Sequence, residues 1–199
     1  MIRILLIRHG STDLLGRVLY GRTSGIHLNS EGFQQAELLA EALTKQYQLA
    51  AVISSPLERA LETAKPIAEQ QGRPVRVEEG IIEVDFGEWV GKSFHELGEI
   101  DSWRAFNRQR STSCPPGGES MMEIQARAWR TVQAAVADYD SGSTIAMITH
   151  GDVIRCLLVL LLGVSIDHIH RLEIAPCSVS EVIVGEHDPL IRRVNQILC

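Results

Sequence analysis

Residues 2–7, Ile-Arg-Ile-Leu-Leu-Ile, form a short apolar run that stops at Arg8-His9-Gly10. With so little polar relief, the run suits a strand buried on both faces, as in a parallel sheet covered by helices. A second run, Ser143-Thr-Ile-Ala-Met-Ile148, stops in the same form at Thr149-His150-Gly151-Asp152. In open α/β sheets, ligands bind just beyond the carboxyl ends of the strands. An arginine and a histidine at such an edge can hold an anion and attack it, and the glycine after them lets another group approach the backbone. The plainer alternative is a strand that exits into polar solvent.

The sequence between these runs supplies the rest of an α/β pattern. A loop over 10–29 carries Arg17 and Arg22. Ser30 offers an N-cap for a helix whose apolar positions Ala36, Leu39, Ala40 and Leu43 recur at helical spacing to about Tyr47. Residues 50–53 form a short buried strand. In Ser54-Ser55-Pro56-Leu57-Glu58-Arg59, Ser55 reads as the N-cap, Pro56 as the first helical residue and Glu58 as the partner in a capping box. Arg59 then falls in the first turns of a helix whose N-terminus attracts phosphate, or else it is a solvated arginine on a helix face. That helix is expected to reach Gln71 and stop at Gly72, with a kink or break near Lys65 ahead of Pro66. Residues 75–77 make a third strand. The stretch 81–91 holds Glu83, Asp85 and Glu88 around Phe86 and Trp89 and reads as an ordered loop. Its three carboxyl groups are candidate proton donors that the sequence does not rank; solvated surface carboxylates are the plainer alternative.

Residues 94–110 are helical but poorly patterned, and Cys114-Pro-Pro-Gly-Gly is a stop. Ser120 with Glu123 is a capping box that opens a long helix to about Tyr139. Asp152 is expected to cap a helix over 153–162. The tail, 172–195, alternates β-prone runs with turns at Pro176 and at His187-Asp188-Pro189, which suggests edge strands in a hairpin. An exposed edge strand there leaves room for a homodimer.

Bulk properties narrow the function. At 199 residues, 45% of them apolar, the chain suits one domain over 1–199 with a sizeable core. A net charge of −6 argues against a broad nucleic-acid footprint. The longest apolar run, 156–164, falls well short of the ~20 residues that span a bilayer. The N-terminal run is too short for a signal peptide, so a cytoplasmic location is the expectation. Cys114, Cys156, Cys177 and Cys199 show no CxxC spacing, which suggests neither a zinc site nor a disulfide framework; Cys199, at the tail, is expected to oxidise first.

In a parallel sheet the ends of these strands share one edge. Arg8, His9, Arg59 and His150 then converge on one basic pocket. Two arginines suit a tetrahedral phosphoryl group, since each gives two parallel N–H···O bonds. An imidazole beside them can act as nucleophile and split one displacement into two. The leaving alcohol needs a proton, so a nearby carboxylic acid is expected.

The chain resembles the histidine phosphatase superfamily, in its phosphoglycerate mutase-like branch. The resemblance rests on Leu6-Ile-Arg8-His9-Gly10-Ser-Thr12, Ser54-Ser-Pro-Leu-Glu-Arg59-Ala, Glu83-Val-Asp-Phe-Gly-Glu-Trp, Pro116-Gly-Gly-Glu-Ser120 and Thr149-His150-Gly151, in that order over nearly the whole chain. It implies a three-layer α/β/α fold, with a mostly parallel six-stranded sheet between helices and one edge strand antiparallel. It implies that His9 is phosphorylated, that Arg8, Arg59 and His150 clamp the phosphoryl group, and that Thr12 adds a hydroxyl; Arg22 and Gly151 are further candidates for binding it. Glu83 is the implied proton donor, with no metal or other cofactor. Two positions depart from the pattern. Leu15 stands where many relatives carry a phosphate-binding asparagine, which leaves that side less polar unless Arg17 or Arg22 compensates. Val90 stands where a glutamate is common.

The function so implied is a phosphomonoesterase acting on a small phosphorylated metabolite through a phosphohistidine. A mutase that returns the phosphoryl group to a second hydroxyl is the alternative within the family. A silent phosphate-binding module is the alternative of another class. The remaining histidines have plainer roles: His168 and His170, two apart, suit surface or packing positions better than a metal site, and His27, His95 and His187 suit loops.

Overall fold

The computed structural model describes residues 1–186 and 188–198; His187 and Cys199, and the expectations attached to them, lie outside these. One six-stranded sheet organises the chain. Its strands are β1 (Ile2–Arg8), β2 (Ala51–Ser54), β3 (Val75–Val77), β4 (Thr144–Thr149), β5 (Val179–Val184) and β6 (Leu190–Gln196), in spatial order β3-β2-β4-β1-β5-β6. The first four in that order are parallel. β5 runs antiparallel to β1, and β6 pairs antiparallel with β5 as the expected hairpin. The mostly parallel sheet with a reversed strand towards one edge is as expected.

The apolar runs are continuous because both faces of the sheet are covered. Successive side chains on a strand alternate between faces. Ile2, Ile4 and Leu6 of β1 and Ile145 and Met147 of β4 pack on one face with α5 (Met121–Asp138) and α6 (Gly151–Leu161). Leu5 and Ile7, with Ala146 and Ile148, pack on the other with α1 (Ser30–Gln46) and α2 (Glu58–Gln71). The result is the three-layer arrangement. The 94–110 stretch forms two short helices, α3 (Phe94–Gly98) and α4 (Asp101–Arg108), pinned by the aromatic contacts of Trp103 with Phe86 and Trp89.

Three helix starts differ from expectation. α1 is capped by Asn29, whose Oδ1 accepts from Gly32 N at 2.9 Å, rather than by Ser30. The box expected at Ser55 and Glu58 does not form. α2 starts at Glu58 with Leu57 as an N-cap that lends no side chain, and Glu58 instead accepts from Gly25 N at 3.0 Å. α6 starts two residues early, with His150 at the N-cap; Asp152 bonds Arg155 instead of capping. The box at Ser120 and Glu123 is present, and α2 runs through Pro66 without a break to Gly72 in a left-handed conformation. Among the described residues no helix is long and apolar enough to cross a membrane.

The register sets the site. Arg8 lies beside Thr149, and Ile148 beside Ser54. One residue further on, His9 N donates to Thr149 O at 3.0 Å and Ser55 N donates to Ile148 O at 2.9 Å. His9, Ser55 and His150 therefore leave the sheet side by side. The loop after His9 is locked against α1 by glycines. A Cβ on Gly32 would lie 2.1 Å from Ser11 O, and one on Gly10 would lie 2.7 Å from Gly32 O. Gly32→Ala is expected to cost about 3 kcal/mol, the upper end of ordinary overpacking, with a fall in turnover because the displaced backbone carries His9. A urea titration beside an activity assay reads both.

Candidate active site

His9 follows β1 and is 1% exposed. Its Nδ1 is 2.7 Å from Gly10 O. A carbonyl can only accept, so Nδ1 carries the proton and Nε2 keeps its lone pair. Burial, with Arg59 and Arg8 close by, holds the ring well below the ordinary histidine pKa. His9 is therefore neutral through the whole neutral range, as a nucleophile must be.

Two guanidinium groups lie close enough to it to act on its charge. Arg8 donates from Nη1 to Ile174 O at 2.5 Å, and its Nε is buried with no partner among the described residues. Arg59, in the first turn of α2 and fully buried, donates from Nη2 to Gly21 O at 2.8 Å and lies 4.8 Å over the Tyr20 ring. Its Nε and Nη1 also have no partner among the described residues. Buried polar groups are nearly always bonded, so three unpaired cationic N–H positions at one strand edge mark an anion site.

His150 is fully buried, with its ring centroid 5.2 Å from that of His9. Its Nε2 is 2.7 Å from Ser55 Oγ, so the hydroxyl expected to cap α2 serves the site instead. Its Nδ1 is 3.8 Å from Glu83 Oε2. Burial, then Arg59 and His9, keeps this ring neutral as well.

Glu83 follows a 3-10 turn at Glu79–Ile81. Burial, reinforced by the charge of Asp152, raises its carboxyl to about 7, against the pull of Arg59 and Arg8. Its position is fixed through the backbone. Arg22 Nε and Arg127 Nη2 both donate to Glu83 O, at 2.8 and 3.1 Å. Both arginines also donate to Glu119 Oε1, each at 2.6 Å. Of the three candidate carboxyls, only Glu83 reaches the cleft; Asp85 accepts from Gly87 N at 3.0 Å and Glu88 is exposed.

The cleft holds about 210 Å³ and is bordered by Arg8, His9, Glu83 and Gly151. Four expected residues lie outside this lining: Arg59 and His150, which are fully buried next to His9, and Arg22 and Thr12, which are engaged elsewhere. Arg22 is spent on Glu83 O and Glu119 and does not border the cleft. Thr12 is buried and donates to Tyr20 Oη at 3.4 Å, also away from the cleft lining. Leu15 does border it, and neither Arg17 nor Arg22 joins it there, so that side is apolar together with Val18 and Phe86. Trp89 packs in the core. No group of three or more His, Cys, Asp or Glu side chains suited to a metal occurs among the described residues.

Sequence reasoning missed the Arg127–Glu119 clamp, although Glu119 sits within the quoted Pro116–Ser120 motif. It also missed Arg155 and His170 on the cleft wall. One signal was available: Arg155 lies four residues after Gly151 and therefore on the same face of the helix.

The Histidine phosphatase superfamily (branch 1) model matches residues 4–197. A bifunctional protein of Mycobacterium tuberculosis is 34% identical over 197 residues, covering 98% of this chain and 54% of that one. This chain thus spans about half the length of that curated relative. A glucosyl-3-phosphoglycerate phosphatase of Mycolicibacterium vanbaalenii is 30% identical over 178 residues, covering 83% of this chain and 76% of its own. Among solved structures, a phosphoserine phosphatase variant from Entamoeba histolytica in complex with phosphoserine superposes with a TM-score of 0.87 at 26% identity, covering 99% of this chain and 98% of that one.

Proposed function

The chain belongs to branch 1 of the histidine phosphatase superfamily, and from that footing we propose that it is a phosphomonoesterase that hydrolyses a small phosphorylated metabolite through a phosphohistidine on His9. One observation carries the reading: a neutral imidazole with an open Nε2 lies among buried, unpaired guanidinium N–H groups. The names of the relatives, phosphatases of glucosyl-3-phosphoglycerate and of phosphoserine, support the substrate class.

In this mechanism Arg8, Arg59 and His150 hold the phosphoryl oxygens, and positioning with charge neutralisation does most of the work. His9 Nε2 attacks phosphorus as the P–O bond to the alcohol breaks. The leaving oxygen takes the proton of Glu83. In the second step a water attacks the phosphorus of phosphohistidine, and the Glu83 carboxylate takes its proton. The P–N bond breaks, phosphate leaves, and both side chains return to their starting states. Gly151 leaves room beside the arginines, since a Cβ there would lie 3.2 Å from Arg155 Nη1, tighter than an ordinary contact. Thr12 and Arg22 act one layer out, through Tyr20 and Glu83.

No step in this reading needs a metal, so chelation is expected to leave activity intact. We take residues 1–199 as one catalytic domain. The free thiols of Cys114 and Cys156 suit a reducing, cytoplasmic setting. The test is phosphate release from a panel of monoesters with His9→Ala as the blank. Release from several esters supports the reading; strict dependence on a bisphosphorylated primer without release supports a mutase; phosphate binding without turnover supports a silent module.

The pH profile follows from Glu83. Its acid form donates, and with a pKa of about 7 that form is lost as pH rises. For alkyl phosphates kcat/KM is expected to be level below about pH 7 and to fall tenfold per unit above it. His9, neutral throughout, adds no limb in that range. The limb is expected to vanish in Glu83→Gln, whereas a limb from substrate ionisation would persist.

A further inference from the structure

The groups that hold and attack the phosphoryl do not use one wall of the cleft. α6 brings Arg155 to that wall, and a 3-10 segment at Ile166–Arg171 brings His170. Arg155 is held rigidly, with Nε donating to Leu172 O at 2.9 Å and Nη1 to Asp152 Oδ1 at 2.9 Å. Its Nη2 has no partner among the described residues. Arg110 fixes the histidine. It is 2% exposed, lies 4.4 Å over the Phe106 ring, and its Nη2 is 2.5 Å from His170 Nε2. A guanidinium cannot accept, so His170 Nε2 is the acceptor and the ring proton sits on Nδ1. That N–H, too, has no partner among the described residues.

The charges do not cancel. Arg110 and Arg155 bring two positive charges against one negative charge on Asp152, and His170 accepting from Arg110 is neutral. The wall keeps one net positive charge. It adjoins the phosphoryl site directly: a Cβ on Gly151 would lie 3.2 Å from Arg155 Nη1 and 3.4 Å from Arg8 Nε, so both guanidinium groups border the gap that the glycine leaves. Leu15, Val18, Phe86 and Phe94 supply the apolar part of the lining.

We propose that Arg155 and His170 bind a carboxylate on the alcohol portion of the substrate, so that the enzyme prefers phosphate esters of small hydroxy acids. The inference rests on the phosphatase reading above and names its substrate class. Two spare N–H donors match the two oxygens of a carboxylate, and one net charge matches its single charge. A second phosphate brings more negative charge than the wall's single net positive charge offsets. A small hydroxy acid fits beside the phosphoryl group within the roughly 210 Å³ of the cleft.

The test compares kcat/KM for phosphoglycolate and for its carboxamide, with p-nitrophenyl phosphate as a reference that lacks a carboxylate. The acid is expected to be preferred by about tenfold or more, the usual scale of a lost charge-assisted pair. In Arg155→Gln the preference is expected to collapse towards unity, through KM for the acid. In His170→Ala, a change at an exposed side chain, it is expected to fall severalfold, which gives a second reading if Arg155→Gln folds poorly. Hydrolysis of p-nitrophenyl phosphate without a preference for the acid, or a preference kept in both variants, overturns the carboxylate site alone. Failure on all three esters overturns the phosphatase reading and the proposal with it.

Discussion

His9→Ala is expected to lower turnover by at least about 10⁴-fold, the scale seen when a nucleophile is removed from a unit that acts together. No neighbour can replace it. His150 is the nearest imidazole, but its ring centroid is 5.2 Å away and its Nε2 is engaged with Ser55 Oγ. The fold is expected to survive, because His9 lies beyond the end of β1 and its backbone bond to Thr149 O does not involve the side chain. Arg8 and Arg59 remain, so binding of inorganic phosphate is expected to persist. Steady-state kinetics with a phosphate-binding titration reads both. Substantial residual activity would assign the attack to another group.

Glu83→Gln is expected to act according to the leaving group. For alkyl phosphates, whose alkoxide leaves badly without a proton, the loss is about 10³-fold, within the usual range for general acid catalysis. For p-nitrophenyl phosphate the leaving oxygen needs no proton, so the first step runs nearly unimpaired. The second step still needs a base to take a proton from water. The variant is therefore expected to release a burst of about one nitrophenolate per site, followed by a slow phase. A variant that slows both esters alike, without a burst, would move the proton transfer away from Glu83. The amide is close in shape to the acid, so the clamp from Arg22 and Arg127 on the Glu83 carbonyl should hold.

What the sequence showed and what it hid follow from how local each signal is. The strand ends were legible because an apolar run that stops at a histidine and a glycine is a pattern within a few residues. Register then did the rest, placing Arg8 beside Thr149 and Ser54 beside Ile148. Ser55 was misread for the same reason. Its local pattern is that of a cap, but a partner 95 residues away, His150, takes its hydroxyl. Asn29 and Ser30 are both good caps, and the structure uses the first. Arg22 was assigned to phosphate from its type alone; the Glu83 carbonyl and Glu119, distant in sequence, claim it. The Arg155–His170 wall stayed hidden because it depends on Arg110, which follows a short helix with too few turns to show a buried face.

The central claim is a covalent bond between phosphorus and His9. The direct measurement is rapid quenching of the enzyme with a labelled monoester, followed by peptide mapping under basic conditions that preserve phosphohistidine. The account predicts label on His9 alone, approaching one per chain in Glu83→Gln, stable in base and lost in acid. Turnover that proceeds with label nowhere on the protein, or with label on a residue other than His9, would contradict it.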